Sequence, residues 1–311
     1  MSRAVVLGEL CLDIIAYEPR SIPVMGSPTW AEHIEIRLGG SATYAAQALR
    51  ALGVDVRLSG VVGEDPVSDE WLRRLGEEGI HTHDVRRQAG QPMPKCIAVC
   101  KGGSKRFVAC SSFPPYLLEG LEESLAGVDL VYFGGYLLYP ELWNGSLTGL
   151  FKQARDRQAL VALDTQLLPV PPELFRDKAL SPHTLGYVDV LFASQKEATA
   201  LTGHAEPVAA ARQLASFGPR VVVVKQGGAG CLTWSQNNCV RSGGRAVSVR
   251  APVGAGDFFG AAFAYGLLQG WDLEKVSGFA NAFAGLAISR MRGRGLPPPG
   301  EALALSNGSR V

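Results

Sequence analysis

The sequence has 311 residues, of which 47% are apolar, and a formal net charge of +1 at neutral pH. This balanced charge differs from the basic composition typical of proteins that bind nucleic acid or anionic membranes. No apolar run reaches the roughly 20 residues that span a bilayer, and the run after Met1 is too short for a signal peptide. The six cysteines lack CxxC spacing, so we expect a cytoplasmic protein with reduced thiols.

Short valine-rich runs alternate with longer amphipathic segments along most of the chain. This alternation predicts a parallel sheet with helices on both faces, in one large α/β domain or two smaller ones. The predicted strands are Ala4–Gly8, Val56–Val62, Leu130–Phe133, Leu160–Leu163, Val190–Phe192 and Val221–Val224. The predicted helices are Ser41–Leu52, Asp69–Glu78, Leu142–Arg157, Val208–Phe217, Asp257–Leu268 and Leu273–Arg290.

Two segments, at about 14–38 and 80–113, break this alternation because they show strands and turns without helical patterns. Within the second segment, Lys95–Cys100 and Arg106–Cys110 flank a glycine-rich turn and predict a β-hairpin. We expect these two segments to form a small β-sheet lid on the larger sheet.

The stretch Gly254-Ala255-Gly256-Asp257 predicts a tight turn that opens a helix. The unpaired N–H groups at a helix N-terminus form a ready anion site. A carboxylate beside a bound phosphate is unfavourable unless it takes a proton from an attacking hydroxyl group. Asp257 therefore indicates phosphoryl transfer, and the alternative is an acid that stabilises the helix dipole.

Two further positions lie near the predicted carboxyl ends of strands, where ligands of open α/β sheets bind. Asp13 follows the first strand and is placed to bind substrate hydroxyls; the alternative is a loop aspartate that bonds its own backbone. Gly39 and Gly40 precede a helix, and paired glycines allow a ligand to approach the backbone closely.

The remaining candidate motifs follow the later strands. The loop from Lys225 through Gly227 to Gly230 could cradle a nucleotide, or it could simply turn a hairpin. Glu197 could hold a hydrated magnesium ion. Alternatively, Ser194 and Glu197 have the spacing of a helix capping box.

Taken together, these motifs resemble the ribokinase-like (PfkB) carbohydrate kinase family over nearly the whole chain. The motifs occur in the family's order: Gly8…Asp13, Gly39-Gly40, Val62-Gly63-Glu64-Asp65, the β-lid, Ser194…Glu197, Gly227…Gly230 and Gly254-Ala255-Gly256-Asp257, with Asn281 near the end. The resemblance implies a single domain over residues 1–311, a three-layer α/β/α sandwich with a mostly parallel central sheet and a small β-sheet lid. In the family this lid often helps to form a homodimer.

The resemblance also implies a function, namely transfer of the γ-phosphate of ATP to a sugar-type hydroxyl group with Mg²⁺ present. Asp257 would be the general base, and the N–H groups of Gly254, Ala255 and Gly256 would form the anion hole. The implied binding residues are Asp13, Gly39, Gly40 and Tyr44 for the acceptor, Glu197 for the metal, and Ser194, Lys225, Gly227, Gly230 and Asn281 for the nucleotide.

The sequence departs from the family pattern at several of these positions. Tyr44 replaces a usual Asn, Cys11 replaces a polar sugar ligand, Ser194 replaces another Asn, and Ala251-Pro252 replaces Asp-Thr. The fold and reaction class survive these changes, but ribose is not expected as the acceptor. The alternatives are a nucleoside kinase, whose base would stack on aromatic side chains near the lid, and a catalytically weak sugar- or nucleotide-binding protein. These aromatic candidates are Tyr44, Phe107, Phe113 and Tyr116.

Overall fold

The computed structural model describes residues 1–22, 24–110, 115–116, 118–143, 145–166, 171–236, 238–245, 247–249, 252–290 and 295–308. The strands are β1 Arg3–Gly8, β2 Cys11–Tyr17, β3 His33–Gly39, β4 Asp55–Gly63, β5 His81–Gln88, β6 Lys95–Lys101, β7 Ser104–Ala109, β8 Leu130–Gly134, β9 Leu160–Asp164, β10 Val190–Ser194, β11 Val221–Lys225, β12 Cys231–Ser235 and β13 Asn238–Ser242. The helices are α1 Ser41–Ala51, α2 Pro66–Glu77, α3 Leu121–Ser124, α4 Thr148–Asp156, α5 Arg176–Ala179, α6 Pro182–Leu185, α7 Gln195–Thr202, α8 Pro207–Ser216, α9 Ala255–Leu268, α10 Leu273–Ser289 and α11 Pro299–Ser306.

The large sheet has the strand order β13-β12-β11-β10-β9-β8-β1-β4-β5. It is parallel from β11 to β5, and β12 and β13 add an antiparallel edge. Helices cover both faces because successive strand residues point to opposite sides. In β1, Val6 packs into the core that contains α1, α9 and α10, whereas Val5 and Leu7 pack into the core that contains α4 and α8. The predicted three-layer fold is confirmed.

The six predicted strands all lie in the large sheet, and the main differences concern where helices begin. The helix predicted from Leu142 begins only at Thr148, because Pro140–Leu142 forms a short 3₁₀ turn and Gly145 adopts a left-handed φ of 97°. Conversely, α2 begins three residues before the predicted Asp69. The Asp65 side chain caps it by accepting a hydrogen bond from Ser68 N at 2.8 Å.

The small sheet has the order β3-β2-β6-β7, and the predicted hairpin is its β6–β7 pair. The first of the two lid segments, which was predicted to begin at residue 14, begins at Cys11. The strand β5 lies within the second predicted lid segment but pairs in parallel with β4 at the edge of the large sheet. The chain returns beside β4 after crossing over through α2, as parallel strands require. The predicted end of this segment at residue 113 lies outside the described residues.

Two expectations from composition concern the thiols and the membrane. Cys11, Cys96, Cys100, Cys231 and Cys239 have free thiols, and Cys11, Cys100 and Cys231 are buried. Among the helices in the described ranges, none is long and apolar enough to cross a membrane.

Candidate active site

The turn before α9 has the geometry that its glycines predicted. Gly254 is the N-cap of α9, with a left-handed φ of 79° that glycine adopts without strain. A Cβ at this position would lie 3.0 Å from Cγ of the Tyr44 ring, so the backbone also needs the space. The helix begins at Ala255, two residues earlier than predicted, and this start places Asp257 in its first turn.

Asp257 is half-buried beside this turn, and its Oδ1 accepts a hydrogen bond from Ser41 Oγ at 2.5 Å. Burial and, to a smaller extent, the charge of Asp164 raise the pKa of Asp257 to about 7, against the opposing effects of Lys225, the Ser41 bond and Lys105. A carboxyl group with a pKa near neutrality can both accept and release a proton at physiological pH. The geometry therefore suits a general base.

Lys225 lies against the same turn. Its Nζ donates to both carboxylate oxygens of Asp164, at 2.9 and 2.6 Å, and a Cβ on Gly256 would lie only 3.2 Å from Nζ. Tyr132 also donates to Asp164, at 3.4 Å. Sequence reasoning missed Asp164, although it ends a buried strand and so had the signal that singled out Asp13.

Ser194 and Glu197 form the capping box that the sequence left as an alternative to metal binding. Ser194 N donates to Glu197 Oε2 at 2.6 Å, and Glu197 N donates to Ser194 Oγ at 3.3 Å. Thr165 Oγ1 donates to the same Glu197 oxygen at 3.0 Å. The capping alternative is confirmed by these bonds, which do not test the metal role.

Magnesium prefers few carboxylates and several waters, together with substrate phosphates. Within the described residues, no group of three or more His, Cys, Asp or Glu side chains could hold a metal ion directly. Glu197 and Asp164 lie close enough for the charge of Glu197 to raise the pKa of Asp164, after the larger effect of burial. Both oxygens of Asp164 and Oε2 of Glu197 already accept protein hydrogen bonds, so a hydrated Mg²⁺ would contact these carboxylates through its waters.

The loop predicted to line the nucleotide side is a hairpin between β11 and β12, as the alternative proposed. A Cβ on Gly230 would lie 2.0 Å from the Ser242 carbonyl oxygen, which explains the glycine, whereas Gly227 is exposed to open space. The Asn281 side-chain amide donates to the carbonyl oxygens of Ser242 and Gly243, at 3.2 and 3.3 Å. Asn281 thus ties α10 to the end of β13, beside Gly230.

Asp13 follows β1, as predicted, but it lies in β2 of the small sheet, so the alternative of a loop aspartate was wrong. Its Oδ2 accepts a hydrogen bond from Tyr44 OH at 2.5 Å, and its Oδ1 accepts one from Cys11 Sγ at 3.3 Å. The Asp13 side chain is therefore bonded by other side chains and not by its own backbone.

Gly39 and Gly40 leave room for the protein's own groups. A Cβ on Gly39 would lie 2.4 Å from Cγ of Asp13, and one on Gly40 would lie 2.3 Å from the Glu9 carbonyl oxygen. The sequence predicted that a ligand would approach these glycines closely, but the space is occupied by Asp13 of β2 and by the Glu9 backbone between β1 and β2. Gly40 also has a left-handed φ of 98° at the N-cap of α1.

Sequence reasoning missed Glu9, Ser41 and Lys105. Glu9 is buried, and its Oε2 accepts a hydrogen bond from Ser41 N at 3.1 Å. Burial raises the pKa of Glu9 to about 7 against this bond, and the charges of Asp13 and Asp257 add to the increase. The only sequence signal for Glu9 was its place directly after the first strand.

Of the aromatic residues considered for base stacking, Phe107 is 48% exposed on β7. Tyr116 is buried against Phe133 and Tyr139, and Tyr44 is buried with its hydroxyl group on Asp13. Phe113 and the departure at Ala251 lie outside the described residues.

Comparison with known proteins agrees with this architecture. The pfkB family carbohydrate kinase profile matches residues 1–298. The chain is 27% identical over 264 residues to an ATP-dependent ribose-1-phosphate kinase of Halopiger xanaduensis, covering 83% of each protein.

Solved structures share the fold. One is the ribokinase of Arabidopsis thaliana complexed with ribose and ATP (TM-score 0.80, 22% identity, 99% of this chain and 100% of that chain). Another is the nucleoside kinase of Methanocaldococcus jannaschii (TM-score 0.73, 19% identity, 99% of this chain and 98% of that chain).

The large sheet and the small second sheet have the fold of these ribokinase-type structures. The match over nearly the whole length is the stronger finding, and the chain belongs to the pfkB family of carbohydrate kinases. It is a transferase of the sugar kinase type, and this family membership implies ATP-dependent phosphorylation of a sugar.

Proposed function

We propose that this protein transfers the γ-phosphate of ATP to a hydroxyl group of a neutral, sugar-like molecule, as a single domain over residues 1–311. The observation that carries the proposal is the position of Asp257. It lies in the first turn of α9, bonded to Ser41 and beside the ammonium group of Lys225. We further propose that the protein acts in the cytoplasm, where ATP is available.

In the proposed reaction the acceptor oxygen attacks the γ-phosphorus, and its proton passes to Asp257. The bond between the γ-phosphorus and the β–γ bridging oxygen breaks, and ADP leaves. The N–H groups of Gly254, Ala255 and Gly256 stabilise the charge that develops on the phosphoryl oxygens. Ser41 holds the carboxylate of Asp257 toward the acceptor until the acceptor hydroxyl takes its place.

On the donor side, Lys225 contributes positive charge next to the Gly256 backbone. Glu197 and Asp164 would hold a hydrated Mg²⁺, which would neutralise phosphate charge when bound. Ser194 keeps Glu197 in place through the capping box. Gly227, Gly230 and Asn281 shape the edge against which the nucleotide would lie.

On the acceptor side, Asp13 accepts hydrogen bonds from substrate hydroxyl groups in the proposed complex. Each of its oxygens accepts one protein hydrogen bond and keeps a further acceptor position. Tyr44 fixes its orientation, and Gly39 and Gly40 allow β2 and α1 to approach. Because Glu9, Asp13 and Asp257 make this side acidic, we expect neutral polyols to bind better than acceptors that already carry phosphate.

A nucleoside kinase remains the second candidate, favoured by Phe107. This ring is exposed on β7, on the same face of the small sheet as Asp13. A base could stack on it. A catalytically weak binding protein is the third candidate, and it gives no reason for a carboxylate at position 257.

The test is ADP release from ATP with hexoses, pentoses, keto-acid sugars, sugar phosphates, inositols and nucleosides as acceptors. We expect a neutral sugar or polyol to give the highest kcat/KM and ribose to be a poor acceptor. A nucleoside as best acceptor would select the second candidate. Nucleotide binding without turnover on any acceptor would select the third.

We also propose a homodimer through the outer face of the small sheet. Paired positions on this face expose Ile34, Ile36, Ile97 and Val108 by 60, 56, 44 and 69%. A contiguous apolar patch on a soluble enzyme is typical of an interface, and a second copy presents the matching face. Light scattering should give twice the chain mass for the wild type and a monomer for Ile36→Glu. A wild-type monomer at micromolar concentration would contradict the dimer.

A further inference from the structure

The turn before α9 is flanked by two ammonium groups that come from different sheets. Lys225 of the large sheet lies against Gly256 at one end of the turn. Lys105 of the small sheet donates from Nζ to the Pro252 carbonyl oxygen, 2.8 Å away, at the other end. The two residues are far apart in sequence and meet only because the small sheet lies over the carboxyl ends of the large one.

Lys105 faces the site and not the outer surface of the small sheet. In the register of that sheet, Lys105 pairs with Cys100, which pairs with Tyr17, and Tyr17 lies on the same face as Asp13. The preceding hairpin turn also approaches the segment that leads into α9: a Cβ on Gly103 would lie 3.9 Å from Cβ of Val249. The hairpin therefore delivers Lys105 to the turn.

The charges around Lys105 are those of the reaction centre. Loss of water around its ammonium group lowers the pKa of Lys105, and the carboxylates of Asp257 and Asp13 oppose this shift, whereas Lys225 adds to it. A lysine ammonium has three donors; one of them is used on Pro252, and the ammonium group also lies 5.2 Å from the centroid of the Phe107 ring. The ammonium group is therefore held at the segment that leads into the Gly254 turn, within range of the charges of Asp257 and Asp13.

We propose that Lys105 is a catalytic residue, which contacts the transferred phosphoryl group from the acceptor side while Lys225 does so from the donor side. This proposal rests on the proposed function. Lys105 stays protonated throughout, because the acceptor proton goes to Asp257 and the electron pair of the broken P–O bond leaves with ADP. The charge that develops on the phosphoryl oxygens is thereby stabilised from two sides. Phosphoryl transfer would thus depend on the position of the small sheet, which carries Lys105.

The first experiment measures nucleotide binding, which needs no acceptor. Isothermal titration of Lys105→Met should show about tenfold weaker binding of a non-hydrolysable ATP analogue, since a charge-assisted contact to the γ-phosphoryl group is lost. ADP affinity should stay within twofold. The control is Arg106→Met, which removes an equal charge from the opposite face of β7 and should change neither value.

The second experiment measures turnover with the best acceptor. Lys105→Met should lower kcat/KM for ATP by about ten- to hundredfold, a typical effect of losing one charge-stabilising donor. Lys105→Arg should recover to within about fivefold of the wild type, and added propylammonium should partly rescue Lys105→Ala. A purely structural lysine would not give rescue by a free amine.

Three results would overturn the proposal while leaving the kinase function intact: turnover of Lys105→Met within threefold of wild type, an equal loss in Arg106→Met, or equal weakening of ADP and analogue binding. A wild-type protein that phosphorylates no acceptor would instead reject the proposed function. In that case, a tenfold loss of analogue binding confined to Lys105→Met would still support the phosphoryl contact. A wild-type protein that binds neither nucleotide would reject both.

Discussion

The two sides of the site are built in different ways. On the donor side, Ser194 and Glu197 are three residues apart and bond each other at the start of α7. Gly254 is the N-cap of α9, the helix that carries Asp257. On the acceptor side, Tyr44 bonds Asp13 across 31 residues. Between the sides, Ser41 bonds Asp257 across 216 residues and Lys105 bonds Pro252 across 147.

The difference indicates which side of the site sets the specificity for the acceptor. Local geometry, such as a capping box or a glycine at a helix N-terminus, depends on a few adjacent residues, so it forms wherever those residues occur together. Contacts between the small sheet, α1 and α9 depend on how distant segments pack. The donor side therefore accounts for the shared chemistry, and the acceptor side should account for the choice of substrate.

The largest expected effect is at the junction of the two sides. Asp257→Asn should lower kcat by about 10²–10⁴-fold, or roughly 3–5 kcal/mol of barrier, because the general base is lost. ATP affinity should change little, and circular dichroism should show a folded protein. The control is Asp272→Asn, which removes the same charge from the N-cap of α10, far along the chain, and keeps a good capping residue. Turnover within threefold of wild type would remove Asp257 from its assigned role.

The second prediction separates the two sides. Tyr44→Phe removes the hydroxyl group that orients Asp13 and should raise the acceptor KM about tenfold, which corresponds to about 1.4 kcal/mol for a hydrogen bond to a charged group. The KM for ATP should stay within twofold. The control is Tyr17→Phe, which removes a hydroxyl group bonded to Glu35 on the same sheet. An equal rise in both KM values would show that the sides are not separable.

The smallest expected effect is a shift in the pH profile. Because Asp257 acts as a carboxylate, activity should fall as the pH falls through its pKa of about 7. Ser41→Ala removes a bond that lowers this pKa, so the acid limb of kcat/KM should move up by about one pH unit. The surrounding charges of Asp164, Lys225 and Lys105 remain in this variant.

Two controls make the pH measurement specific. Ser68→Ala removes a comparable hydroxyl group from the first turn of α2 and should leave the limb in place. Glu9→Gln removes the other carboxyl group with a pKa of about 7. If the limb disappeared in Glu9→Gln, the titration would belong to Glu9 and not to Asp257.

Local sequence patterns were enough to identify the six valine-rich strands of the large sheet and the donor-side elements. Valine-rich strands that are buried on both faces, such as Val221–Val224, appear in the sequence as short continuous apolar runs, and these runs identified them. The turn at Gly254 and the capping box at Ser194 were predictable because each depends on adjacent residues. The predicted hairpin in the small sheet was also local.

The residues that face one another across the site are brought together by the packing of distant segments. A sequence gives no distance between Asp13 and Tyr44, between Ser41 and Asp257, or between Lys105 and Pro252. It also could not assign β5 to the large sheet, because a polar edge strand has the same pattern in either sheet. These pairings arise from the packing of whole elements. The free energy of that packing is distributed over many residues, so no single position in the sequence predicts it.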